Sequence, residues 1–159
     1  MRLFNTPLEA GFRMLFILSA CRPEPCDLQR LISYDYLLVH SGDVSSEHDS
    51  LHPAVPNRGS EWVVKRDVIN MGLGLMFARD LVEKRLTVNG IHFAGSELTT
   101  AFVRLLTSPY AEALRVRSRW LAKTFGDYTD DALQTFMSRK VGTWGAEFDN
   151  IAAIKDIDL

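Results

Sequence analysis

Apolar residues recur at helical spacing from the start of the chain, with Leu8, Phe12, Leu15 and Phe16 giving one apolar face. Thr6 precedes Pro7, and Glu9 completes a T-x-x-E capping box, so a first helix begins there. It ends before Arg22-Pro23-Glu24-Pro25, because each proline disfavours helix in the residue before it. Asp27 is placed to cap a second helix through about His40, with Leu28, Leu31, Ile32, Tyr36 and Leu38 as its apolar positions. Ser60 is placed to cap a third, running to about Asp80, with Trp62, Val63, Ile69, Leu73, Met76 and Phe77 on or near one face. Gly72 and Gly74 weaken that helix by roughly 1 kcal/mol each against alanine, and admit close approach by another element or a bend.

Between the second and third helices, residues 41–60 hold Gly42, Ser45, Ser46, Pro53, Pro56 and Gly59 and are expected to form a loop. A loop of this length is either mobile or a working part. After the third helix, Asn89-Gly90 predicts a type I′ hairpin turn. With those two residues as the loop, Val88 faces Ile91 and Leu86 faces Phe93, so all four form an apolar underside seated on the helical body. Arg85, Thr87 and His92 take the other face. Ser96 caps a helix through Leu106, and Ser108-Pro109 starts another that ends at Gly126. Thr129, followed by Asp130 and Asp131, starts a last one that ends near Gly142, with the acids suited to its dipole. This order predicts a mainly α fold with a small β-hairpin: a winged-helix-like domain over residues 1–107, and a C-terminal helical extension, residues 108–159, packed on it.

A chain of 159 residues can bury roughly 70% of its unfolded surface, so it needs no metal or disulfide to fold. The net charge of −2 excludes a general polyanion binder; nucleic-acid contact would need a local basic patch. Cys21 and Cys26 form a single C-x-x-x-x-C, a poor zinc signal, and are expected to be reduced thiols in a reducing cytosol. The apolar stretch Met14 to Cys21 is too short to span a bilayer, and no secretory signal precedes it. The expectation is a cytoplasmic protein with no membrane contact.

No phosphate-binding loop is present, since Gly72-Leu73-Gly74 lacks the third glycine, the preceding strand and the lysine. His40, Asp43, Glu47, His48, Asp49 and His52 crowd one segment, and His48 and His52 are four apart. On a helix that spacing would suit a metal, but glycine, serine and proline interrupt the segment, which therefore reads as a solvated polar loop. Neither a metal nor another cofactor is expected. Arg115, Arg119 and Lys123 share a helix face, and Lys84 and Arg85 lie at the base of the hairpin. These five are the candidate nucleic-acid contacts, set against a reading as solvated cations paired with acids. Lys65 and Arg66 add two cations to the third helix, whose apolar face suits a protein partner better than base edges. Trp144 to Phe148 is a candidate interface anchor, with packing of the tail onto the domain as its alternative.

Several stretches together resemble the middle component of bacterial ABC-three-component systems, the type called middle component two. They are Leu3-Phe4-Asn5-Thr6-Pro7 with Glu9 and Gly11, and Asp35 through Asp43. Ser50-Leu51-His52-Pro53 with Pro56, Arg58 and Glu61 follows, then Leu81 to Arg85, Ser108-Pro109-Tyr110-Ala111 and Trp144 to Phe148. The resemblance implies a non-catalytic adaptor that bridges an SMC/Rad50-like ABC ATPase and an effector subunit, in defence against phage or plasmids. DNA would be met through the complex, and a homodimer is compatible with the same reading. Leu51, His52, Arg58, Glu61, Trp144 and Phe148 are the candidate partner contacts, and Leu51 to Glu61 reads as an interaction or fold-locking segment. The rival readings are a stand-alone winged-helix DNA-binding regulator and, last, a metal-dependent enzyme using His40, Asp43, His48 and His52.

Overall fold

Helix α1, Pro7–Cys21, is the axle of the fold. The computed structural model describes residues 6–52 and 58–140, with the backbone alone for residues 58–63 and 140. Thr6 Oγ1 accepts the Glu9 N–H at 3.2 Å and so starts α1. Sequence spacing gives α1 one apolar face, but Ala10, Gly11 and every residue from Arg13 to Leu18 are buried. A helix apolar nearly all round must be covered nearly all round. Helices α2 (Leu28–Val39), α3 (Arg58–Phe77), α4 (Glu97–Arg104) and α5 (Pro109–Phe125) supply that cover. A last helix, α6 (Asp130–Lys140), packs on α2.

The caps explain where the elements begin. Asp27 Oδ1 accepts from the Arg30 N–H, Ser96 forms a capping box with Thr99, and Ser108 Oγ accepts from the Ala111 N–H. The Thr129 hydroxyl accepts the Ala132 N–H in the same way. Helix α3 departs from expectation at both ends, starting at Arg58 instead of Ser60 and ending at Phe77 instead of Asp80. Asp80 takes a left-handed conformation, φ 60°, which acidic and amide residues tolerate, and the Leu81 N–H returns to the Met76 carbonyl at 3.0 Å. Arg30 of α2 ties the C-terminal helices down. It donates to the carbonyls of Phe125 and Tyr128 at 2.8 and 2.7 Å and pairs with Asp130 at 2.9 Å. Leu114, Leu121, Phe125, Leu133 and Met137 join the same apolar core as α1 and α2.

The hairpin, β1 (Glu83–Thr87) with β2 (Gly90–Ala94), forms where sequence predicts it, but in another register. Thr87 pairs with Gly90, Leu86 with Ile91 and Lys84 with Phe93, so the two-residue loop is Val88-Asn89. The Thr87 hydroxyl accepts the Asn89 N–H and donates to the Gly90 carbonyl, both at 3.1 Å, which pulls the reversal back by one residue. Gly90 supplies the positive φ, 110°, from the first position of β2. The shift preserves side-chain alternation, so Leu86, Ile91 and Phe93 still share a face. The expected seating fails, however: Phe93 is 6% exposed, while Leu86 is 85% exposed, Ile91 50%, and Val88 fully so. Only the root of the ribbon reaches the core.

Helices α1 and α3 cross in backbone contact at Gly72. A Cβ there would lie 2.6 Å from both the Gly11 nitrogen and the Pro7 carbonyl oxygen, whereas at Gly74 it would meet nothing within 4 Å. The close approach expected of the glycine pair therefore belongs to Gly72 alone. We expect Gly72→Ala to destabilise the fold by about 1–3 kcal/mol through overpacking against backbone. Gly74→Ala should stabilise it by about 1 kcal/mol through helix propensity. Thermal unfolding of the two variants beside the parent checks both signs, and equal effects would refute the assignment.

Candidate functional site

Three helices converge on one carboxylate. Asp35 of α2 is 0% exposed. Arg13 of α1 donates from Nε to Asp35 Oδ1 at 2.7 Å and from Nη2 to Oδ2 at 3.3 Å. Lys65 of α3 approaches Oδ2 at 3.1 Å and lies 5.7 Å from the centre of the Tyr36 ring. Burial alone would raise the Asp35 pKa, but the two cations outweigh it and hold the carboxyl well below the usual carboxylate range. Burial likewise works against the Arg13 charge, and Asp35 more than restores it. Arg13 stands in the apolar run of α1 and Asp35 in that of α2, which is the sequence signal that such residues have a buried partner. Of the two cations on the third helix, Lys65 is buried, while Arg66 is exposed.

The histidine-rich segment turns inward. The amides of Leu51 and His52 both donate to the Val39 carbonyl, at 2.9 and 3.0 Å. Ser41 Oγ donates to the Asp49 carbonyl, and Gly42 N–H donates to Ser50 Oγ. Arg117 of α5 donates to Ser41 Oγ and to the Asp49 carbonyl. His52 is buried, with Nε2 2.8 Å from the Tyr110 hydroxyl and its ring stacked on Tyr110; His40 meets it edge-on. His48 instead packs against Trp120. Over residues 41–52 the expected solvated loop keeps Asp43, Glu47 and Asp49 exposed, but it is tied between α2 and α5 through Ser41 and His52, which are buried. Burial, and then the nearby Arg13 charge, lower the His52 pKa to about 4. Among the described residues no group of three His, Cys, Asp or Glu side chains is arranged to hold a metal ion.

The candidate partner contacts divide. Leu51 packs against the core and His52 is buried. The side chains of Arg58 and Glu61, and all of Trp144 and Phe148, lie outside the described residues.

The candidate nucleic-acid contacts do not make one stripe. Arg115 points inward: it donates to the carbonyls of Val103 and Leu106, pairs with Glu112 and covers the Phe16 ring. Arg119 and Lys123 stay exposed on α5. Arg85 stands 3.7 Å from Glu83 and reaches the Pro23 carbonyl at 3.4 Å; Lys84 lies 4.2 Å from the centre of the Phe77 ring. Beside these two cations stand Leu86, Val88 and Ile91, large apolar side chains offered to solvent at the ribbon's tip. Sequence reasoning missed that tip because it took the underside to be seated.

Two tests follow from the buried groups. Asp35→Ala removes the buried anion that two buried cations face and should cost about 3–5 kcal/mol, read by urea unfolding at neutral pH. A loss below 1 kcal/mol would show that the carboxylate is not the tie. For His52, the unfolded side chain binds its proton near 6.5 while the folded one resists until about 4. The unfolded state therefore holds more protons between these values, so stability is full above 6.5 and falls as the pH drops towards 4. His52→Gln should flatten that part of the pH–stability curve, and an unchanged slope would refute the assignment.

The family model described as ABC-three component (ABC-3C) system Middle Component 2 matches residues 3–147. Neither a curated protein nor a solved structure matches the chain. The match takes in every described residue, from the Thr6 cap through the Asp35 tie and the hairpin to α6. The chain belongs to the Middle Component 2 family of ABC-three component systems.

Proposed function

We propose that this chain is a non-catalytic adaptor, bridging an SMC/Rad50-like ABC ATPase and an effector in defence against phage or plasmids. The observation that carries the reading is the ribbon tip: Leu86, Val88 and Ile91 stand clear of the body on a root held by Phe93. An apolar projection flanked by charge is the form of a protein contact, because burying it against a partner removes apolar surface from water. The ordered polar groups around Asp35 and His52 hold one another across helices, which is a structural use of their chemistry. The order of helices followed by a ribbon also suits a winged-helix-like adaptor that meets its ATPase through the wing. Arg58, Glu61, Trp144 and Phe148 remain candidate contacts beside it.

The test is co-expression with the ATPase component of the same system. Val88→Asp and Ile91→Asp place a charge at the contact but lie on the surface, so the fold should change by no more than about 0.5 kcal/mol. We expect both to abolish co-purification while the thermal midpoint holds. Retention of the ATPase by both variants would refute the ribbon as its contact. Salt-sensitive binding of duplex DNA by the isolated chain, lost on charge removal at Arg119 and Lys123, would favour the DNA-binding regulator instead.

A further inference from the structure

Cys21 ends α1, Cys26 stands just before α2, and the chain returns between them so that the two thiols neighbour each other. Neither is in a disulfide. The approach is fixed from both sides. Cys21 belongs to the last turn of α1, while Cys26 exchanges backbone hydrogen bonds with Phe93 at 2.8 and 2.7 Å. The two sulfurs differ in access: Cys26 is buried, and Cys21 is half-buried. Both line an open cleft of about 550 Å³, where Arg22, Arg30 and His92 stand with the acids Glu24, Asp127 and Asp130. The hydrogen bond from Cys26 lowers the Cys21 pKa, against burial and with help from the Arg30 charge. As its counterpart, Cys26 is pushed up, by that same hydrogen bond and by burial.

We propose that Cys21 and Cys26 are a peroxide-reactive dithiol, with Cys21 as the attacking thiolate and Cys26 as the resolving thiol. The reactant class is a hydroperoxide that enters the cleft. The Cys21 thiolate attacks one peroxide oxygen; an S–O bond forms, the O–O bond breaks, and hydroxide (or alkoxide) leaves. Sulfur is oxidised by two electrons and the peroxide is reduced. The Cys26 sulfur then attacks the Cys21 sulfenic acid. The S–S bond forms, the S–O bond breaks, and the departing hydroxide takes the Cys26 proton as water. A dithiol reductant restores both thiols. A half-buried thiol that opens on a cleft, beside a buried partner thiol, is the arrangement this sequence of steps needs.

The experiment treats the reduced full-length chain with a small excess of hydrogen peroxide and reads intact mass and disulfide-linked peptides. The expected result is loss of two hydrogen atoms, a Cys21–Cys26 linked peptide, and reversal by dithiothreitol. In Cys26→Ser, dimedone should trap a sulfenic acid at Cys21, while Cys21→Ser should give no adduct. The parent measurement stands without either variant, should one fail to fold. The proposal is overturned if the parent keeps both thiols, or if it gains oxygen without a linked peptide. Equal dimedone labelling of Cys26 in Cys21→Ser would also overturn it, because the roles of the two sulfurs would then be indistinguishable.

Discussion

The Asp35 carboxylate is the constraint from which the arrangement of the helices follows. It sits at zero exposure between an arginine from α1 and a lysine from α3, so three helices must keep one mutual position to keep both contacts. A buried ion set of this kind contributes little net stability, because desolvation offsets the attraction. Its effect is selective: a sliding or rotated α1 would strand a guanidinium in the core. Apolar packing alone lacks that discrimination, since α1 is apolar almost all round and many rotations would bury similar area. The contact of Gly72 with the α1 backbone supplies the matching steric condition. One sets how close α1 and α3 come, and the other sets which faces meet.

What the sequence made legible was what is local. Thr6, Asp27, Ser96 and Ser108 each accept from an amide three residues on, so the information for each helix start lies within four residues. The Arg13–Asp35 pair spans 22 positions, and the Arg117 contact with Asp49 spans 68. No periodicity encodes such pairings. Yet Arg13 and Asp35 each interrupt an apolar run, and opposite charges in two buried helices ask for each other. The hairpin shows the other limit. Asn89-Gly90 marked the reversal, but the Thr87 hydroxyl chose the loop, and a one-residue choice there changes every cross-strand pair.

The histidine-rich segment shows why a cluster in sequence is a weak guide to a site. Three histidines within thirteen positions suggested convergence, but the Val39 carbonyl, Ser41 and Arg117 fold the segment back. His40 and His52 enter the core while His48 meets Trp120. Adjacent histidines thereby acquire unlike surroundings. The same logic sorts the cations. Arg115, Arg119 and Lys123 share a helical repeat, yet Arg115 donates to the carbonyls of Val103 and Leu106 at the end of α4. A face read from spacing is a face of one helix, and its availability depends on what the next helix lays across it.

The ribbon is held at its root by three contacts. Thr99 Oγ1 of α4 donates to the Leu81 carbonyl at 2.6 Å where the chain enters the ribbon. Cys26 bonds Phe93 in both directions within β2, and the Phe93 side chain is buried beneath. A two-stranded ribbon alone is marginal in water, so these three holds allow it to project at all. They also bear on the contact proposed for its tip. A projection already fixed loses less conformational freedom on docking than a loop that must be ordered, and more of its buried apolar area appears as affinity. Because one hold is the backbone of Cys26, a covalent link from Cys21 would stiffen that same root. The chemistry of the thiol pair and the presentation of the tip therefore meet in one residue.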